Sequence, residues 1–343
     1  MKKYGVVVVG CGKIGQEHLS DIYYRENVNI VGVVDINEET AQVCARKFNA
    51  ESWSVDWRDY LKRDDVDIVI IATYIDTHMR IMRACLENGK HVLCEKPVVA
   101  TEQGVKEFAD LVLSSNCKVR VGYILRHNET YKYVQNCIEN GLIGKPIVMR
   151  MVQNHHAMNW ERYKRLLKDC SPIVDCGVHY FDIMQWFTGA DITSVHGIKA
   201  AVDDDLDVDE YNYGLVTVTL SDGSVGYYEA GWGQSISADN VKEFIGPKGR
   251  LRIVYSTNRY EHREEGDLIE YFDAKTHSYN QINLVSQYKP MWVQFSSLVE
   301  AIEKDLPNKP HVDAVCASTL AAINADKALL KGEIIYMNGG NKK

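Results

Sequence analysis

No Cys-x-x-Cys pair occurs among the nine cysteines of this 343-residue chain, which stand at 11, 44, 85, 94, 117, 137, 170, 176 and 316. An odd count at wide spacing excludes a disulfide framework and reads as reduced thiols packed as small hydrophobes. No apolar run approaches the roughly 18 residues that cross a bilayer. Met1-Lys2-Lys3 followed by Val6 to Val9 imitates the start of a signal peptide, but Gly10-Cys11-Gly12-Lys13 breaks the apolar run early, so a cytoplasmic location is expected. Basic excess is missing too: 39 Lys plus Arg against 47 Asp plus Glu gives a net charge of -8, spread along the chain. Nucleic acid, which needs a concentrated basic face, is thereby excluded as a partner. Repeats, low-complexity tracts and obvious linkers are absent. What remains, 45% hydrophobic and 25% charged residues, is an ordinary globular composition. At about 150 residues per domain the length predicts two domains.

The two halves have different rhythms. Up to residue 122, short β-branched runs (Val6 to Val9, Ile30 to Val34, Ile68 to Ala72, Val92 to Cys94, Lys118 to Val121) alternate with helical spacing, as in Glu38 to Phe48 and His78 to Asn88. That alternation predicts an α/β domain with a doubly wound parallel sheet. Beyond it, Tyr213 to Leu220, Ser224 to Gly231 and Val241 to Ile245 alternate like antiparallel strands, with turns at 221–224 and 246–249. One helix is expected near Pro172 to Phe187 and another near Ala314 to Leu330. The expected architecture is a Rossmann domain over residues 1–122 and, over 123–343, an α+β domain with a large, mainly antiparallel sheet.

Gly10-x-Gly12-x-x-Gly15 directly follows the first strand and opens a helix, and a second strand ends in Asp35, twenty residues beyond Gly15. Gly10 suits the tight turn, Gly12 the close approach of a pyrophosphate, and Gly15 the packing of helix on strand. The anion then meets the helix amino-terminus. A carboxylate at Asp35 accepts from ribose hydroxyls and repels a 2′-phosphate, which favours NAD over NADP; Lys13 softens that preference. A plain strand-ending turn with Asn37 is the other reading of Asp35.

Two further groups carry chemistry. Lys96, in His91-Val92-Leu93-Cys94-Glu95-Lys96-Pro97, stands at the carboxyl end of a buried strand, where open α/β sheets bind ligands, and Pro97 is compatible with a cis bond. By itself such a lysine is also read as a surface charge. In 169–182, Ser171 suits a helix cap and Pro172 the first turn, so Asp175 and His179 share one helical face with Asp182 one turn on. A carboxylate one turn from an imidazole fixes its tautomer for acid-base work; a dipole-favoured acid and a core histidine are the structural alternative. Cys170, Asp175, Cys176 and His179 lack the short paired spacing of zinc sites, and no metal is expected.

The glycine loop, Glu95-Lys96-Pro97 and Asp175-x-x-x-His179, in this order, resemble the Gfo/Idh/MocA family of glucose-fructose oxidoreductase and inositol dehydrogenase-like proteins. Ala72-Thr73 with His78, 87–92, Gly122-Tyr123 with Arg126, 140–146 and 246–249 extend the likeness over most of the chain. The resemblance implies reversible NAD(P)-dependent oxidation of a secondary alcohol on a sugar, cyclitol or related polyol. It assigns proton transfer to His179, polarisation of the reacting oxygen to Lys96, and orientation of the pair to Asp175. The cofactor would be held by Gly10, Gly12, Lys13, Ile14, Gly15, Asp35, Ile36, Ala72, Thr73, Tyr74, His78, Glu95 and Lys96. Tyr123, Arg126, Asn154, His155 and Asp182 would face the substrate. A homodimer or homotetramer, formed through the open face of the second sheet, and a last helix packed back near the first domain are also implied.

This sequence departs from the family at Cys170-Ser171-Pro172, where relatives carry glycines, and at Tyr74, which stacks near the nicotinamide or fills a crevice wall. Trp160 to Arg165 reads either as an exposed helical face or as a lid. Besides a dehydrogenase, two functions remain open: an elimination or glycoside-cleaving enzyme that returns the hydride within one cycle, and a non-catalytic dinucleotide sensor. Joint retention of Lys96, Asp175 and His179 argues against the sensor.

Overall fold

The strand Tyr4–Val9 is buried at every residue, as the centre of a sheet covered on both faces must be. The computed structural model describes residues 2–203, 205–207, 210–255 and 266–337. In chain order the elements are β1 (Tyr4–Val9), α1 (Lys13–Ile22), β2 (Val28–Val34), α2 (Glu38–Lys47), β3 (Trp53–Ser54), β4 (Ile68–Ile71), α3 (Ile75–Glu87), β5 (His91–Cys94), α4 (Glu102–Leu113), β6 (Val119–Val121) and α5 (Glu129–Glu139). There follow β7 (Val148–His156), α6 (Trp160–Asp169), α7 (Pro172–Asp175), α8 (Gly177–Thr188), β8 (Ile192–Ala200), β9 (Tyr213–Leu220), β10 (Val225–Gly233), β11 (Asp239–Gly246) and β12 (Gly249–Val254). The chain closes with β13 (Asp267–Asp273), β14 (Ser278–Leu284), α9 (Met291–Glu303), α10 (His311–Lys331) and β15 (Ile335–Tyr336).

Two sheets result. The first, ordered β3-β2-β1-β4-β5-β6, is parallel throughout. The second, ordered β14-β13-β12-β11-β7-β10-β9-β8-β15, is antiparallel except where β10 runs parallel to β7. Local sequence explains the helices: Asn37 accepts from the Thr40 amide to cap α2, with Glu38 and Glu39 in its first turn and Arg46 and Lys47 in its last, all matched to the helix dipole. Gly189, at φ 66°, stops α8 in the left-handed conformation that suits glycine.

The chain divides into two compact units, Met1–Ile124 with Lys289–Cys316, and Leu125–Tyr288 with Ala317–Lys343. Residues 289–316, placed by the sequence with the second domain, thus cluster with the first. The cause is apolar: Phe295, Leu298 and Val299 of α9 join Leu19, Ile22 and Phe48 in one core, and truncating Phe295 to alanine should cost about 3–5 kcal/mol. Polar ties follow, since Lys289 Nζ meets Glu17 Oε2 at 2.7 Å and the Trp292 amide meets Asp21 Oδ2 at 3.2 Å. Asn308 Oδ1 and His311 Nε2 accept from the Val119 and Val121 amides, each at 2.9 Å, which blunts the β6 edge.

The expected helix at Pro172 to Phe187 is two segments. At Cys176 the hydrogen-bond pattern tightens: His179 N–H donates to Cys176 O, three residues back, at 3.1 Å. Gly177 here lies close against Phe181 and Tyr228, where an added Cβ would stand 3.0 and 3.3 Å from their rings.

Candidate functional site

Three glycines do three different things in the loop between β1 and α1. Gly10 holds φ +98°, and a Cβ there would stand 2.4 Å from Ala72 O; a Cβ on Gly15 would stand 1.8 Å from Gly10 O. Protein packing therefore demands glycine at both. At Gly12 an added Cβ would meet nothing within 4 Å, so the space above it is open. Gly12 also precedes α1 without a side-chain cap, and no acid stands in the first turn. Bare helix amides beside an open approach fit the pyrophosphate of a dinucleotide. Asp35 directly follows β2, with Oδ2 accepting from Cys11 N–H at 2.9 Å and Oδ1 from Asn37 N–H at 3.0 Å. Lys13, Ile36 and Tyr74 are exposed, and Ile14, Ala72 and Thr73 half-buried.

Glu95 and Lys96 follow β5 directly, both half-buried, and the Lys96–Pro97 bond is cis. His78 lies differently from the expectation of a cofactor contact. It is 1% exposed, with Nδ1 3.0 Å from Pro97 O and Nε2 3.0 Å from Thr73 O, and burial pushes its pKa below the usual histidine range. The neutral ring carries one N–H, so it donates to one of these two loop carbonyls. Tyr123 is buried as well, its hydroxyl 3.5 Å from Val315 O.

In the second unit, Ser171 caps α7 through the Val174 amide, Asp175 closes that turn, and His179 is the third residue of α8. Both Asp175 and His179 are half-buried, and Cys176 Sγ lies 3.3 Å from Asp175 Oδ2. Arg126 and Asp182 are joined by two bonds, Nε to Oδ2 at 2.7 Å and Nη2 to Oδ1 at 2.9 Å. The guanidinium is 30% exposed and the carboxylate 3%, so the arginine is the accessible member. Burial raises the Asp182 pKa while Arg126 opposes the rise. Asn154 donates from Nδ2 to Glu229 Oε1 at 2.7 Å, leaving its buried Oδ1 unbonded. His155 lies 6.3 Å from the Tyr163 ring, which in turn packs on Trp232. The 160–165 patch is helical, and α6 is tied down by Trp160 and Lys164 bonding to Asp205.

Sequence reading missed Glu229 as the Asn154 partner and Lys242, which is fully buried on β11. Lys242 Nζ donates to Val152 O and Asn240 Oδ1, each at 2.6 Å, and lies 4.4 Å over the Tyr180 ring. Sharing strand parity with the core residue Phe244 was the signal that could have found it. Among the described residues no three His, Cys, Asp or Glu side chains gather to hold a metal.

Residues 4–123 match the family model described as Gfo/Idh/MocA oxidoreductase, NAD-binding Rossmann fold, and residues 131–252 match that family's C-terminal domain. The chain belongs to the Gfo/Idh/MocA oxidoreductase family. It is 29% identical over 262 residues to the scyllo-inositol 2-dehydrogenase (NAD(+)) of Bacillus subtilis strain 168, covering 74% of each chain. Its fold is shared with two solved structures. One is myo-inositol 2-dehydrogenase from Lactobacillus plantarum (TM-score 0.82, 20% identity, 98% of this chain and 100% of that one). The other is scyllo-inositol dehydrogenase from Lactobacillus casei with bound NAD(H) and scyllo-inositol (TM-score 0.78, 21% identity, 98% and 99%).

Proposed function

We propose that this protein is an NAD-dependent dehydrogenase that oxidises a secondary alcohol of a cyclitol such as scyllo- or myo-inositol, or of a closely related polyol. The observation that carries the reading is the open space at Gly12, beside bare α1 amides and Asp35, on a chain that also keeps Lys96, Asp175 and His179. When bound, the nicotinamide supplies the hydride acceptor. Every proton movement belongs to the chain: His179 takes the hydroxyl proton, Lys96 stabilises the developing alkoxide with its positive charge, and Asp175 orients the imidazole. Arg126, braced by Asp182, and Asn154, braced by Glu229, meet the other hydroxyls. The buried Asp182 and the half-buried Glu229 fix the directions of the two donors, which is what distinguishing one hydroxyl stereochemistry from another requires.

We also propose a homodimer or homotetramer formed through the second sheet. β9 alternates buried and exposed residues, and Ile198, Val225 and Tyr279 of that sheet are exposed, so an apolar face is uncovered in one chain. A cytoplasmic location is supported by nine cysteines of which none forms a disulfide. The reading is tested by mixing purified protein and NAD⁺ with a panel of cyclitols, sugars and their acids and following the near-ultraviolet absorbance of reduced cofactor. Reduction with a cyclitol is expected. A folded protein inert on the whole panel would remove the dehydrogenase in favour of a hydride-returning enzyme or a sensor.

A further inference from the structure

Lys96 stands between two residues that are each held by a buried histidine. On its amino-terminal side, Glu95 Oε1 lies 2.7 Å from Nε2 of His18, a residue of α1 whose side chain is wholly buried, while the Glu95 side chain is only 12% exposed. The second carboxylate oxygen accepts the Lys96 N–H at 3.3 Å, and the Glu95 N–H donates to Ile71 O at 2.8 Å. Gly122 closes the third side, because a Cβ there would stand 2.8 to 3.0 Å from the carboxyl atoms. On the carboxyl-terminal side, His78 Nδ1 lies 3.0 Å from Pro97 O, and the same ring reaches Thr73 O.

A carboxylate removed from water needs charge-assisted bonds, and a bond to each of its two oxygens restricts its position. Fixing the Glu95 carboxylate fixes the peptide that begins Lys96. His18 Nδ1 is buried without a partner, so the ring's polar contact among the described residues is directed wholly at Glu95. A histidine kept only to fill the core would leave that second nitrogen unsatisfied for no return; a leucine would pack there without it. His18 also sits on the helix whose first turn offers its amides to the pyrophosphate, so one bond joins the cofactor helix to the lysine loop.

We propose that His18 and His78 are positioning residues for Lys96, bracketing it through Glu95 and Pro97. The inference rests on the role given to Lys96 above. It is tested on the full-length protein with His18→Leu and His78→Leu, with His18→Gln and His78→Asn, whose amides keep an N–H near Nε2 and Nδ1, and with Lys96→Met. Three quantities are measured: thermal midpoint, kcat and KM on a cyclitol, and protection of Lys96 by NAD⁺ against acetic anhydride, mapped by peptide mass spectrometry. The leucine variants are expected to lose roughly 10- to 100-fold in kcat with little change in KM for NAD⁺. NAD⁺ should shield Lys96 in the wild type and the amide variants but not in the leucine variants. Wild-type kcat and shielding in the leucine variants would overturn the bracket, as would amide variants as impaired as the leucine ones. Should the leucine variants fail to fold, the amide variants decide alone: full shielding supports the bracket and lost shielding overturns it. An inert wild type, or an active Lys96→Met, overturns the parent reading instead. Inactive Lys96→Met beside fully active leucine variants overturns only this one.

Discussion

Asp35 Oδ2 accepts the Cys11 N–H at 2.9 Å, so the residue expected to select the cofactor also holds the glycine loop. Removing it should therefore have two effects at once. Asp35→Ala frees the loop amide and removes the charge that opposes a 2′-phosphate. NAD should bind about tenfold more weakly, a loss of about 1.4 kcal/mol, while the gap between NAD and NADP narrows. Fluorescence titration of both cofactors checks this. A wild-type preference for NADP would contradict it.

Gly12 and Gly15 should respond in opposite ways to the same methyl group. Gly15→Ala places a Cβ 1.8 Å from Gly10 O and should lower the melting temperature of the cofactor-free protein. Gly12→Ala meets nothing, at a φ of -69° that any residue adopts, and should melt like the wild type. Its defect should appear only in NAD affinity. Calorimetric melting with and without NAD⁺ separates the two, and a Gly12→Ala protein that binds NAD⁺ normally would remove the pyrophosphate from that site.

Arg126 and Asp182 form a pair in which one member is almost wholly buried. Arg126→Met leaves that carboxylate unpaired, and the unfolding free energy near neutral pH should fall by roughly 3–5 kcal/mol. The pH dependence has a definite sign. Burial already raises the Asp182 pKa, and losing the guanidinium raises it further, so the folded state holds a proton that the unfolded state has released. Stability of the variant should accordingly be recovered in acid and lost as pH rises from the ordinary aspartate range through the raised value. Urea unfolding of wild type and variant across the acid range measures it; parallel curves would contradict the account.

Lys242 provides the opposite case. Burial pushes its pKa well below the usual lysine value, so between that lowered value and about 10.4 the unfolded chain binds a proton that the folded chain does not. Stability from this group rises with pH over that window. In Lys242→Met the rise should disappear, which urea unfolding at about pH 7 and about pH 9 would reveal. Equal slopes would place Lys242 outside the titrating set.

Much of the first unit was legible because a buried parallel strand is apolar at every position and a glycine fingerprint states its own geometry. β1, β2, β4 and β5 fall where the β-branched runs are. The two-residue β3 was not legible, since Trp53–Ser54 is too short to show a period. Nor was the membership of α9 in the first unit: its apolar residues announce a buried face without saying that Leu19 and Phe48 cover it. Lys96 follows β5 as its place in the sequence led one to expect, whereas the single helix expected to carry Asp175 and His179 is broken between them at Cys176. Residue types and spacing did not show that Asp182 pairs with Arg126, or that His78 bonds to a loop carbonyl, because a charged or aromatic letter does not tell which partner takes its polar atoms. His18 had a readable signal, a polar residue inside the buried stripe of Gly15, Leu19 and Ile22.

The central claim is that this chain removes a hydride from a cyclitol carbon and leaves it on the nicotinamide. Incubating the protein with NAD⁺ and a cyclitol deuterated at its ring carbons, then weighing the nicotinamide by mass spectrometry, tests that claim directly. Reduced cofactor carrying one deuterium, formed by the wild type and not by Lys96→Met or His179→Ala, is the predicted result. Reduced cofactor without deuterium, or none formed by well-folded protein on any cyclitol, would contradict it.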